Sequence, residues 1–243
     1  SVLAVEQFIK KVKQYQKEED VDRIRTELEE LLFYVKQRVF YRYFDEFKEL
    51  FAIVQFDKDQ FQARLERATN NMIQFVFHHL TEEIRATVIR IEYFIQLEWK
   101  EIQRDLFNVL PEQIRPAFIT HELSPFPEVV IQESVPLRSR DIPFLSQYNS
   151  YTDFFVENKK ETFKDQLEAY LRPFGDRYVD DFHQLLEKTY VSYVEKELQR
   201  CLDDLVAQAR AYIGRYEDES FTQNESALLQ QAVEQIEKVL THL

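Results

Sequence analysis

Only two glycines, Gly175 and Gly214, occur in 243 residues. At a mean usage of roughly 7%, a chain of this length would carry about 17. Glycine supplies the positive φ angles of tight turns and the close backbone approach that cradles phosphate. The sequence accordingly holds no P-loop, no G-x-G-x-x-G and no G-x-S-x-G. Doubly wound nucleotide-binding folds fall away on that ground. A β-sandwich or barrel built on many tight hairpins is disfavoured as well.

The remaining composition points to helices. The chain is 44% hydrophobic, 14% aromatic and 31% charged, which is enough apolar material for a core and enough charge for a long solvated surface. A net charge of −13 opposes nucleic-acid binding, whose usual footprint is a basic face. It also opposes whole-surface attraction to anionic lipid. One cysteine, Cys201, rules out an internal disulfide framework. No run of 18 apolar residues is present to span a bilayer. The only methionine is Met72 and the chain begins at Ser1, which reads as an excised or processed chain.

Hydrophobic periodicity lays out the expected elements. Leu3, Phe8, Ile9, Val12 and Tyr15 mark a first amphipathic helix over residues 3–19. A second helix is expected from about Val21 to Phe51, ringed by Phe33, Tyr34, Phe40, Tyr41, Tyr43 and Phe44. A third starts at Asp57 or Asp59 as N-cap and runs to Val109 without Gly or Pro, either unbroken or bent near Thr81 as an N-cap. Unbroken, those roughly 50 residues would make a rod of about 75 Å. Helix is expected again from Tyr151 to a break at Pro173-Phe174-Gly175, and then from Tyr178 to Gly214 as a C-terminal cap. A last helix is expected to open at Thr222-x-x-Glu225, a capping-box pattern. Its face comprises Leu228, Leu229, Ala232, Val233, Ile236, Val239 and Leu240.

Six of the seven prolines fall between Pro111 and Pro143. Proline breaks helix, so this stretch reads as a long irregular segment inside a helical chain. The resulting expectation is an all-α, elongated antiparallel bundle of long helices forming a single domain over residues 1–243. Outgoing helices occupy 1–110, a Pro-rich apolar tip or loop 111–150, and returning helices 151–243. Two readings of the Pro-rich segment stay open. In one, its apolar residues form a tip for a membrane interface or a partner groove. In the other, they fold back over the helices and are buried.

No catalytic, metal or cofactor site emerges. His78-His79 with Glu82 and Glu83, and Asp180-x-x-His183, have ligand spacing on a helix. A zincin needs H-E-x-x-H, and a di-iron bundle needs a second Glu-x-x-His; both are absent. Cys201 lies on an apolar face and reads as a buried structural thiol. The patch around Lys36, Arg38, Tyr41 and Arg42 has the residue types that stack on bases, but the acidic total favours a structural role.

Three helix-face patterns carry a family resemblance. Residues 28–44, reading LEELLFYVKQRVFYRYF, resemble the helical region that follows the GTPase domain of bacterial dynamin-like proteins. Residues 80–92, LTEEIRATVIRIE, are similar to a later helix of that region, and so is FFVENKK at 154–160, leading to Phe163 and Leu167. The GTPase domain itself is absent, and Phe51-Ala52-Ile53-Val54 lacks the turn residues expected there. The resemblance implies a non-catalytic stalk that transmits GTPase motion in a protein that tethers, fuses or remodels membranes. It implies a cytoplasmic protein, peripheral at the inner face of the cell membrane, with the GTPase domain of the same parent as a partner and with self-association. It puts the lipid-contacting tip at residues 116–148, with Phe118, Ile119, Phe126, Val130, Ile131, Leu137, Ile142, Phe144 and Leu145 as contacts. Arg138 and Arg140 are placed beside them for headgroups. The competing expectation is a soluble helical scaffold that binds other proteins and has no membrane role.

Overall fold

The computed structural model describes residues 2–52, 60–119, 122–131, 137–148, 151–156 and 159–242, with the side chains of residues 39–41, 43, 45, 153 and 156 left out of account. Ile53, Val54, Asp57 and Asp59 lie outside these residues. The chain is an all-α helical bundle, and no strand occurs among the described residues. Among the described residues seven α-helices follow in order: α1 Val2–Gln14, α2 Lys17–Tyr43, α3 Phe47–Leu50, α4 Phe61–Phe107, α5 Tyr151–Val156, α6 Lys159–Leu186 and α7 Ser192–Thr241.

The chain divides into two compact units, each drawing on residues from both sides of the Pro-rich stretch. The first comprises residues 1–20, 96–125 and 194–243; the second comprises residues 21–95 and 126–193.

In the first unit α1 buries Val5, Phe8 and Val12, one helical face. The α4 residues Trp99, Ile102 and Leu106 are buried too, as are Val194, Leu198, Cys201, Leu202, Leu205 and Ala209 of α7. Phe8 stacks on Phe107 at 5.6 Å between ring centroids and meets Phe118 edge-on at 5.4 Å. Edge-on and offset rings are the favoured aromatic geometries.

In the second unit α2 contributes Val21, Ile24, Leu28, Leu32 and Val35, at the 3–4 spacing of a single stripe. The α4 stripe from Phe61 to Ile95 and the α6 stripe from Phe163 to Leu186 complete the core. Phe163 is an aromatic hub, with the rings of Tyr148, Phe51, Phe154, Phe144 and Phe47 between 5.0 and 6.2 Å away. Tyr190 is buried and its hydroxyl donates to Glu92 Oε1 at 2.7 Å. Burial together with that carboxylate drives the phenol far above its usual range.

Four expected punctuation marks are helix interior instead. Thr81 is buried, and its hydroxyl donates back to the Phe77 carbonyl at 2.9 Å, as Thr69 does to Leu65 at 2.7 Å. A threonine satisfied in this way sits inside a helix without capping anything. Pro173 lies within α6. The carbonyl it leaves without an N–H partner belongs to Ala169, and both residues are exposed, so the interruption falls on the solvent side of the helix. Gly175 falls on the buried face of the same helix. A π-helical turn at Glu187–Val191 joins α6 to α7. Gly214 and Thr222-x-x-Glu225 are both interior to α7, which runs through to Thr241.

Nothing lies within 4 Å of a β-carbon built on Gly214. A mid-helix glycine costs about 1 kcal/mol relative to alanine. Gly214→Ala should therefore slow amide hydrogen exchange in residues 211–220 by about fivefold. Unchanged exchange there would show that α7 is not continuous at this point.

Candidate interaction surfaces

The Pro-rich stretch packs against helices within each unit. In the first unit, a 3-10 turn at Arg115–Ala117 with Pro116 in its first positions leads into Phe118. Phe118 is buried, 6.0 Å from the Tyr212 ring as well as against Phe8. The extended chain beyond it has no strand partner, so side chains of α7 supply its backbone hydrogen bonds. The Ile119 N–H donates to Gln208 Oε1 at 2.8 Å, and Gln208 Nε2 donates to the Ile119 carbonyl at 3.4 Å. The Ser124 N–H donates to Glu197 Oε2 at 2.8 Å. Arg200 holds the same carboxylate through Nε at 3.1 Å and Nη2 at 2.9 Å, a bidentate pair.

In the second unit Phe126 packs 5.2 Å from Tyr193 and 6.2 Å from Tyr190. The Ser139 N–H donates to Asn70 Oδ1 at 2.8 Å and opens a 3-10 turn at Ser139–Asp141. Tyr170 donates to the Asp141 carbonyl at 3.3 Å. Phe144 meets Phe163 and Tyr170 edge-on.

The residues expected to form a lipid-contacting tip are thus distributed differently. Phe118, Leu137, Ile142 and Leu145 are buried core residues. Phe126, Ile131 and Phe144 are half-buried. Ile119 and Val130 stand exposed at 71% and 72%, and Arg138 and Arg140 are exposed. The physical reason is the supply of partners: aromatic rings and amide or carboxylate side chains on the helices match the segment's own rings and unpaired backbone. Sequence periodicity does not register that match in a segment without a period.

The clusters with ligand spacing are committed to other contacts. Asp180 pairs with Lys36, and His183 Nε2 lies 3.8 Å from Glu187, whose other oxygen accepts from Arg25 at 2.9 Å. The His78 and His79 rings pack edge to edge at 5.6 Å. Burial lowers the His79 pKa, with His78 and Arg42 adding to the effect and Glu82 and Glu83 opposing it. Among the described residues no group of three or more His, Cys, Asp or Glu converges as a metal site. Cys201 is buried, and burial raises its pKa, the opposite of an activated thiol. The basic patch opens on a cleft where Arg38, Arg42 and Arg90 are matched by Glu27, Glu30 and Glu83. Arg38 lies over the Tyr34 ring at 5.3 Å. Three balanced charges of each sign give a polyanion little to follow. The Tyr41 side chain lies outside the described residues.

An extended apolar surface without a partner among the described residues lies on α7. Beyond Ala209 the helix buries nothing more, and every residue from 215 to 242 is exposed. These 28 residues extend about 42 Å. Phe221, Leu228, Leu229, Val233, Ile236, Val239 and Leu240 are 53–68% exposed, and with Ala232 they fall on one side of the helix. The sequence signals this face clearly, but as a core face. Its exposure is a property of the fold. No protein-family model, curated protein or solved structure matches the chain.

The Glu197 clasp has a pH signature. Pairing with Arg200, reinforced by the Ser124 N–H and opposed by partial burial, holds the Glu197 carboxyl down at about 2, against 4.5 for an unperturbed glutamate. A depressed folded-state pKa contributes stability that is present in full above pH 4.5 and is lost as pH falls towards 2. The urea midpoint of the native chain should exceed that of Glu197→Gln at pH 7, with the gap closing between pH 4.5 and 2. A gap that persists unchanged to pH 2 would remove the clasp from the account.

Proposed function

We propose that this chain is a non-catalytic helical scaffold that binds another protein through the apolar stripe of α7. One observation supports this reading: 28 consecutive helical residues, 215–242, carry on one face seven large apolar side chains that no described residue buries. Contiguous apolar surface of this extent marks interaction sites on soluble domains. Burying one such side chain contributes about 1.5–3 kcal/mol, so seven of them offer roughly 10 kcal/mol before the costs of association. The stretch also gains from being ordered. Most helical stability in proteins comes from packing of an amphipathic face, and a partner would supply the packing this stretch lacks. Helix-in-groove and helix-pairing recognition use the same spacing of anchors.

A second reading has its own supporting observation. The 47-residue α4 and 50-residue α7 suit the helical stalk of a dynamin-like GTPase, joined to its GTPase domain and acting peripherally at a membrane. In that reading the residues left for lipid are Ile119 in one unit, and Val130, Arg138 and Arg140 in the other.

Site-specific photocrosslinking in cells tests the first reading. A benzophenone side chain at position 229 should give a protein adduct, and one at position 231, on the opposite face, should not. Equal adducts at both positions, or none at 229, would overturn it. Co-sedimentation with liposomes that survives Leu229→Glu/Ile236→Glu and is lost on Val130→Glu would favour the stalk reading.

A further inference from the structure

On the docking reading above, the charges around the stripe define the partner. Residues 215–242 carry six carboxylates, Glu217, Asp218, Glu219, Glu225, Glu234 and Glu237, against two cations, Arg215 and Lys238, a net charge of −4. Their positions matter more than their sum. Glu225 is four residues after Phe221 and four before Leu229, so it stands inside the stripe. Glu237 borders the stripe, four residues beyond Val233 and three before Leu240. Lys238, at 100° per residue, falls on the far side of the helix.

Three occupants can be weighed against this pattern. A second copy in parallel register sets Glu225 against Glu225. An antiparallel copy aligned over residues 221–240 brings Glu237 towards it, and Arg215, on the same face as Val233, lies beyond that overlap. Like charges at a paired-helix seam oppose association. An anionic lipid surface meets the same −4. An amphipathic helix with Lys or Arg beside its apolar stripe answers both features. Its apolar residues cover Leu228 to Leu240, its cationic heads reach Glu225 and Glu237, and the alkyl stems beneath those heads cover more of the stripe. We infer that the α7 stripe receives an amphipathic helix of another protein, flanked by basic residues.

The test uses the full chain and two synthetic fluorescent peptides. Both are 28 residues long and share one Leu/Ile stripe; one carries Lys at the flanking positions and the other Glu. By fluorescence anisotropy, the Lys-flanked peptide should bind at least tenfold more tightly than the Glu-flanked one. The advantage should shrink as salt is raised from 50 to 300 mM. Glu225→Lys/Glu237→Lys should reverse the preference, and Leu229→Glu/Ile236→Glu should abolish binding of the Lys-flanked peptide, with helicity checked by circular dichroism. Lys-flanked binding that survives Leu229→Glu/Ile236→Glu would be bulk attraction to an acidic protein and would overturn the inference. So would a concentration-dependent dimer in sedimentation velocity, or flotation with phosphatidylcholine–phosphatidylglycerol vesicles, if lost in that variant. Equal binding of both peptides, abolished by the same variant, overturns the charge inference and leaves the docking reading standing. Binding of neither peptide also overturns it, while the crosslink at position 229 decides the docking reading separately.

Discussion

An unbroken backbone hydrogen-bond ladder carries α7 past the last residue that the fold buries. From Val194 to Ala209 the helix is anchored by its apolar face. Beyond that it depends on its own propensity, rich in Ala, Leu, Gln and Glu. Neither the single glycine at 214 nor the capping-box pattern at 222 interrupts it. Once a helix is propagating, one weak residue costs less than the new nucleus needed to restart it. The functional reading follows from that continuity, because a break at Gly214 would let the last segment fold back and cover its stripe.

The Pro-rich stretch poses the opposite problem. Its prolines cannot donate and its backbone has no ladder, yet it lies against apolar helices. Gln208, Glu197 and Asn70 resolve this by lending side-chain oxygens to the N–H groups of Ile119, Ser124 and Ser139. Phe118, Phe126 and Phe144 then pack as rings among rings. With only two glycines in the chain, close backbone packing is scarce. Polar side chains on helices do the work that turns and strands do elsewhere.

Much of the fold was legible in the sequence. The 3–4 spacing from Val21 to Val35, from Phe61 to Leu106 and from Phe163 to Leu171 gives the core faces nearly residue by residue. Interruptions were harder to read, because Pro173, Thr81, Gly214 and Thr222 owe their roles to surroundings rather than to type. Pro173 is tolerated on the exposed side of its helix; Thr81 is tolerated since it bonds backwards to Phe77. The division into two units depends on contacts between distant segments, which periodicity does not record. The α7 stripe was visible as an apolar face, but a face for the core and a face for a partner have the same pattern. The Pro-rich residues were separable into buried and exposed only once the rings and carboxylates around them were placed.

Residues 221–240 of α7 present an apolar stripe to solvent. Thiol labelling reads that exposure position by position, because the native chain contains one cysteine, and it is buried. Single cysteines at positions 229, 236 and 239 should react with an aromatic disulfide as fast as one at the polar-face position 230, while Cys201 stays unreactive in the folded chain. Protection of the three stripe positions to the level of Cys201, with position 230 still reactive, would show that the stripe is covered and would contradict the account.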